Sequence, residues 1–358
     1  MSSTSDTIHD LGFSDDTISQ CVENRGLLSM ELEFTRKCNL RCIYCYADSG
    51  EPSTDELTLE ELRSVILQAK ELGARKIILL GGGEPLVYKE LPEVIRYIHS
   101  LGLQQYLFTN GTLITGDYAR FLREHEVSVI IKNNSRIPHV QDMLAGVPGS
   151  SAAIRRGLAF LQEAGYPSAD VMLGIQTVIC RQNLEELPDM WRWARRHGVA
   201  PYFEIITQQG RAKDHEELAV PVPALKTLFE KLAAIDEEEF DVAWSSRPTI
   251  AAFSCKRHLY SCLVNSRGFV QPCTGVDMPV GNVREQSLSG ILDASEIIRD
   301  LRNIYQKIEG PCRTCEHNSE CYGCRGNAYQ MTGSYLATDP TCWRLQAPAH
   351  EHTARIGQ

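Results

Sequence analysis

Two periods of apolar and polar positions alternate along this chain. Residues 27–34 (LLSMELEF) alternate and then run apolar into Thr35, the pattern of a strand. Residues 55–72 carry apolar side chains at helical spacing, with Thr54 or Asp55 as the N-cap and Gly73 as the stop. Residues 76–80 (KIILL) read as a short buried strand. The exchange continues with helices over 92–101, 119–125, 151–165, 183–197 and 222–239, and strands over 103–108, 127–131, 171–179 and 202–206. Six strand–helix alternations in about 210 residues imply a parallel sheet with helices outside it. Periodicity does not separate an open sheet from a barrel. In either, functional groups gather at the carboxyl ends of the strands.

From about residue 248 the alternation gives way to a pattern of cysteines. The chain's 358 residues allow one large domain and a smaller one. A net charge of −10 argues against a general nucleic-acid binder. No apolar run reaches the roughly 18 residues of a membrane span. Residues 1–16 lack the basic and apolar regions of a signal peptide, so a cytoplasmic protein is expected. Thirteen cysteines without an export signal point to metal rather than to disulfides.

Cys38, Cys42 and Cys45 form a C-x3-C-x2-C cluster with Tyr44 just before the third cysteine. Three thiolates on one short loop suit three irons of a cubane, whose fourth iron is then open to a chelating ligand. Zinc is the competing reading, although zinc sites usually pair two C-x2-C knuckles. Gly81-Gly82-Gly83-Glu84-Pro85 follows the second strand, where glycines admit a ligand to the backbone and Glu84 can accept from an ammonium. Asn110 ends the third strand in Thr109-Asn110-Gly111-Thr112, and Lys132-Asn133-Asn134-Ser135 ends the fourth. Lys132 is read as a base or anion ligand, or else as a salt-bridged rim lysine. Cys180, ending the fifth strand, is read as a thiol near the site or as a small buried hydrophobe. Glu204 in the sixth is a substrate contact or a rim carboxylate. Downstream, Cys255, Cys262, Cys273, Cys312, Cys315, Cys321, Cys324 and Cys342 suffice for two fully ligated cubanes or two zinc sites. Cys21 receives no role.

The cysteine triad together with Gly82–Pro85 resembles the radical S-adenosylmethionine (SAM) enzymes, from about residue 28 to 344. That resemblance implies an α/β fold with a partial (β/α)6 TIM-like barrel over 27–240, after a lead-in over 1–26. It also implies a [4Fe-4S] cluster on the triad whose open iron is chelated by SAM, giving a 5′-deoxyadenosyl radical. Tyr44, Gly82, Gly83, Glu84, Pro85, Asn110, Asn134, Ser135 and Gly174 would by resemblance contact SAM. The later cysteines are similar to the family's SPASM extension, here over 248–345 and followed by a tail over 346–358. The C-x2-C spacing of Cys321 and Cys324 departs from the family's C-x3-C. Carried over, one auxiliary [4Fe-4S] cluster takes Cys255, Cys262, Cys273 and Cys324, and another takes Cys312, Cys315, Cys321 and Cys342. Three clusters in all are implied, with flavodoxin or ferredoxin as electron donor.

SPASM relatives modify peptides or act on small molecules. Only about 27 residues precede the first strand, too few for a leader-binding module, and Lys132–Ser135 departs from the peptide group's pattern. The expected substrate is therefore a small carbohydrate-derived molecule, an aminocyclitol, aminoglycoside or nucleoside sugar of antibiotic biosynthesis. Dehydrogenation through an auxiliary cluster, or epimerisation with Cys180 as hydrogen donor, is the expected outcome. A peptide or protein maturase, or decarboxylation of a sugar-acid nucleoside, is the alternative.

Overall fold

The computed structural model describes residues 11–345, so the expected tail over 346–358 and the first ten residues of the lead-in lie outside the described residues. β1 (Ser29–Thr35), β2 (Lys76–Gly82), β3 (Gln104–Thr109), β4 (Val127–Lys132), β5 (Leu173–Ile179) and β6 (Ala200–Ile205) lie side by side in chain order, all parallel. Helices cross between them, as parallel neighbours require. The expected helix over 55–72 starts later, at Leu59, because Thr58 is the true cap. Its hydroxyl accepts from Glu61 N at 3.3 Å, and the Glu61 carboxylate accepts from Thr58 N at 2.8 Å. The helix then buries Leu62, Val65, Ile66 and Ala69, a stripe at spacings of three and four.

β6 does not return to β1. The far side of β1 is taken by β7 (Ser261–Val264), parallel to it, followed by the antiparallel β8 (Phe269–Gln271) and β9 (Gly281–Asn282). The α/β partial barrel is thus extended by strands from the cysteine-rich half, where the sequence pattern had indicated only cysteine spacing. The edge of β6 is covered by the segment leading into that half. Ile205 N donates to Thr249 O and Ala251 N to Phe203 O, each at 2.9 Å. An edge strand is thereby kept from pairing elsewhere.

The sheet's two faces differ. Met30, Leu32, Ile77, Leu79, Leu107, Val129 and Ile131 point to the helices and are fully buried in the main core. On the other face β1 carries Glu31 and Glu33, only 3% and 4% exposed. A parallel strand covered on both faces normally reads as a continuous apolar run. These carboxylates mark the barrel's interior.

Candidate active site

The cysteine loop follows β1 and is clamped from several sides. Cys38 N donates to Gly50 O at 3.0 Å, and Arg41 N to Ala145 O at 3.0 Å. The latter bond comes from the helix Pro138–Ala145, which the sequence pattern did not reveal. Arg211, beyond β6, donates from its backbone to Cys45 O at 3.0 Å and from Nε to Cys42 O at 2.9 Å. Burial pushes the Cys42 thiol up to about 12, so a bound metal must displace its proton. All three thiols line a cavity of about 260 Å³, as does Tyr44.

Gly81, Gly82, Gly83 and Glu84 line the same cavity, whereas Pro85 does not. Gly83 N donates to Thr35 O at 2.7 Å and Glu84 N to Lys37 O at 2.9 Å, which lays the glycine turn on the base of the cysteine loop. A Cβ at Gly83 would sit 2.0 Å from Lys37 O, so no other residue fits. The Glu84 carboxylate, 2% exposed, accepts from Thr109 Oγ1 at 2.6 Å, Asn110 N at 2.7 Å and Leu86 N at 3.0 Å. It therefore fastens the turn after β2 to the turn after β3. Burial pushes it up, and these three bonds work against that. Asn110 joins the cavity wall and reaches Asn39 of the cysteine loop through Nδ2 at 2.9 Å.

Lys132 and Glu204 meet in the cavity lining, Nζ to Oε1 at 3.7 Å, and Gln176 Nε2 donates to the same oxygen at 2.5 Å. Lys132 Nζ also stands 5.2 Å from the centre of the Tyr44 ring. Burial lowers Lys132, opposed chiefly by Glu204. Deeper in, Glu31 Oε1 pairs with Arg257 Nη1 at 2.5 Å, while Glu31 Oε2 has no partner. Burial pushes Glu31 up and Arg257 pulls it down; for Arg257, burial works against the charge but is outweighed by Glu31, Cys255, Tyr202 and Cys273 together. Glu31 and Arg257 line the cavity beside Tyr202, Phe108 and Phe253. Neither was singled out from sequence. The signal was there in LLSMELEF, whose glutamates interrupt a buried strand.

Other expected site residues lie elsewhere. Asn134 and Ser135 are buried outside the cavity lining, where both backbone amides donate to Gln141 Oε1, at 2.8 and 3.0 Å. Asn134 Oδ1 accepts from Val178 N at 2.9 Å, so the pair fastens β4 to β5 and the following helix. Gly174 sits between Ile130 and Ala200 on neighbouring strands, likewise off the lining. Cys180 is 2% exposed among Tyr44, Val178, Leu144 and Ile206, also off the lining. Burial pushes its thiol up to about 11. It packs as a small hydrophobe.

In the second half, all the cysteines are free. Cys324 is pushed up by burial and then by Asp339, Cys273 and Cys255; Cys342 is pushed up by burial, with Asp339, Cys312 and Cys321 adding to it. Two neighbourhoods thus form, and Cys315 closes a turn onto Cys312 O at 3.4 Å. Arg325, 1% exposed, feels Asp339, Cys324 and Cys312, and its Nε and Nη2 have no partner. A buried cation with unpaired donors suits anionic clusters on either side. Cys262 does not join the first neighbourhood: it is 1% exposed in the main core, on the helix side of the sheet. Among the described residues no three His, Cys, Asp or Glu side chains converge tightly enough for a single metal ion, and a cubane's thiolates stand farther apart than a lone ion's.

A parallel partial barrel whose first loop presents three thiolates beside a glycine turn defines a radical enzyme of the iron–sulfur type. The chain belongs to the radical SAM superfamily, which it matches over residues 32–194, and over 255–316 it matches the SPASM iron-sulfur cluster-binding domain. It is similar to an AdoMet-dependent heme synthase of Oleidesulfovibrio alaskensis, 31% identical over 87% of this chain and 85% of that one. It is also similar to a PqqA peptide cyclase of Granulibacter bethesdensis, 27% identical over 91% and 88%. Its fold matches Streptococcus suis SuiB bound to S-adenosylmethionine with a TM-score of 0.71, at 15% identity over 92% of this chain and 83% of that one. SAM and multiple [4Fe-4S] clusters are therefore its cofactors, and the zinc alternative falls away. The expected carbohydrate chemistry is overturned as well, because the matched relatives make haem or cyclise peptides. Of the residues behind that expectation, Asn134 and Ser135 bind Gln141 through their backbone amides, and Cys180 stands off the cavity lining. Among the described residues no helix is long and apolar enough to cross a membrane.

Proposed function

We propose that this radical SAM enzyme acts on a carboxylate-bearing tetrapyrrole of haem synthesis. The observation that carries the reading is a cavity with aromatic residues in its lining and two half-buried cations, Arg257 and Lys132, opening onto the cysteine triad. When bound, SAM on its cluster supplies the 5′-deoxyadenosyl radical that abstracts a hydrogen atom from the substrate. Cys38, Cys42 and Cys45 hold that cluster, and the Gly81–Gly83 backbone shapes the adjoining SAM pocket. Arg257 keeps guanidinium donors beyond the one given to Glu31, and a planar fork of donors matches a carboxylate. Tyr202, Phe108 and Phe253 give the lining an aromatic character suited to a flat conjugated ring. Lys132, held between Glu204 and Tyr44, provides a second cation in the cavity lining. The similarity to haem synthases over most of both chains supports the same substrate class. Flavodoxin or ferredoxin serves as reductant.

A peptide substrate is the second reading, favoured by the likeness to a PqqA peptide cyclase. Anaerobically reconstituted enzyme, supplied with either an iron tetrapyrrole bearing carboxylate side chains or short acidic peptides, separates the two. Formation of 5′-deoxyadenosine and a change in substrate mass with the tetrapyrrole alone supports the first reading. A response to peptides alone replaces it with a peptide maturase.

A further inference from the structure

We propose that the first auxiliary cluster of this enzyme is held by three thiolates, Cys255, Cys273 and Cys324. Cys262 is left out, and one iron is free to take an anionic oxygen or sulfur donor from the cavity. The inference rests on the family membership and not on the tetrapyrrole reading.

Two of the three retained cysteines, Cys273 and Cys324, are brought together by close backbone contact. Gly275 and Gly326 each lie two residues after a cysteine, Cys273 and Cys324 respectively. A Cβ on Gly275 would stand 2.7 Å from Gly326 Cα, and one on Gly326 would stand 2.9 Å from Gly275 Cα. Only glycine at both positions lets the two turns touch. Each turn then aims an amide at its own sulfur, Val276 N to Cys273 Sγ at 3.3 Å and Asn327 N to Cys324 Sγ at 3.4 Å. Such N–H···S bonds are among the contacts that tune cluster potentials. Cys255 packs against the cluster that includes Ile78, Tyr106, Ile130 and Tyr202, and its charge is felt at both Cys273 and Cys324.

Cys262 stands on the other side of the sheet. In the β1–β7 pairing Ser261 lies opposite Ser29 and Cys262 opposite Met30. Ser29 and Ser261 line the cavity, whereas Met30 and Cys262 belong to the core beneath the helices. Turning Cys262 toward Cys255 would need a one-residue slip of β7, which would invert every side chain on that strand. It would send Leu263, fully buried, in the opposite direction and break the pairing with Ser29, Met30, Glu31 and Leu32.

None of the three retained cysteines lines the cavity itself, but the cavity wall runs beside two of them. Thr274 and Gly275, next in sequence to Cys273, line it, and so does Arg257, two residues after Cys255. An anionic ligand arriving there finds a guanidinium beside it.

The test uses the full chain carrying C38A, C42A and C45A, so that only the auxiliary clusters contribute, reconstituted with iron and sulfide. Iron content and the EPR spectrum of the reduced protein are read with and without cyanide, a small anion that binds an exposed iron. Cys262→Ala should keep about eight irons per chain and both signals, whereas Cys255→Ala, Cys273→Ala or Cys324→Ala should lose or alter one signal. Cyanide should shift that same signal in the parent and in the Cys262 variant. If alanine unfolds the protein, Cys262→Val fills the apolar site without a thiol and decides the matter. Loss of one cluster from a folded Cys262 variant, or spectra indifferent to cyanide, overturns the proposal. A signal that moves on Glu31→Gln without added ligand also overturns it, because Glu31 would then fill the position.

Discussion

On the helix side of β1, Met30, Leu32 and Phe34 are fully buried among leucines, isoleucines and valines. On the cavity side of the same strand, Glu31 and Glu33 are buried almost as deeply, with Arg257 and Tyr46 as partners at 2.5 and 2.8 Å. The first face gains free energy from every apolar group removed from water. The second must recover the cost of desolvating charge, which a buried ion pair seldom does with a surplus. One strand therefore carries stability outward and chemistry inward. The same division runs on into β7, where Ser261 looks to the cavity and Cys262 to the core.

The sharpest way to break the comparison is to remove the triad from the inner face. The C38A/C42A/C45A protein should form no 5′-deoxyadenosine and hold about four fewer irons per chain, with its helix-side core intact by circular dichroism. On the outer face, Leu32→Ala should cost about 2–5 kcal/mol in chemical denaturation. Arg257→Met should cost a comparable ~3–5 kcal/mol, because it strands Glu31 without its partner. Adding Glu31→Leu to Arg257→Met should recover most of that loss while leaving turnover absent. If the double variant stays as unstable as the single one, the inner pair is part of the stabilising core and the division fails.

A surface pair sets the lower end of the scale. Arg284 holds the Glu61 carboxyl down to about 2, first through its side-chain hydrogen bond. A carboxyl lowered on folding lends stability above its unfolded value near 4.5, and that stability is lost as pH falls toward 2. Arg284→Ala should flatten the pH dependence of the melting temperature between those values. Being partly exposed and screened, the pair should contribute at most about 1 kcal/mol at neutral pH.

The strand–helix alternation was legible because its strands and helices each follow one period, whereas closure into a partial barrel came only from the family resemblance. β1 to β6 all lie within a few residues of their expected positions. The helix Pro138–Ala145 escaped because eight residues give too little pattern. Spacing brought out the triad, since its three ligands share one loop. The auxiliary ligands come from separate segments, and which face of β7 Cys262 occupies depends on pairing with β1, a contact between residues more than 200 positions apart. Lys132 and Glu204 were found as strand-end residues, but their mutual contact was not. Glu31 and Arg257 went unnoticed because a glutamate in an alternating strand also reads as a solvated position.

The claim that the inner cations read a substrate carboxylate within reach of the radical is tested most directly by capping the carboxylates. Anaerobic kcat/KM for 5′-deoxyadenosine formation would be compared between a carboxylate-bearing iron tetrapyrrole and its methyl ester, in wild-type enzyme and in the Arg257→Met/Glu31→Leu protein. The account predicts that esterification abolishes stimulation of the wild type and that the variant no longer responds to the free acid. An ester as effective as the acid in the wild type would contradict it.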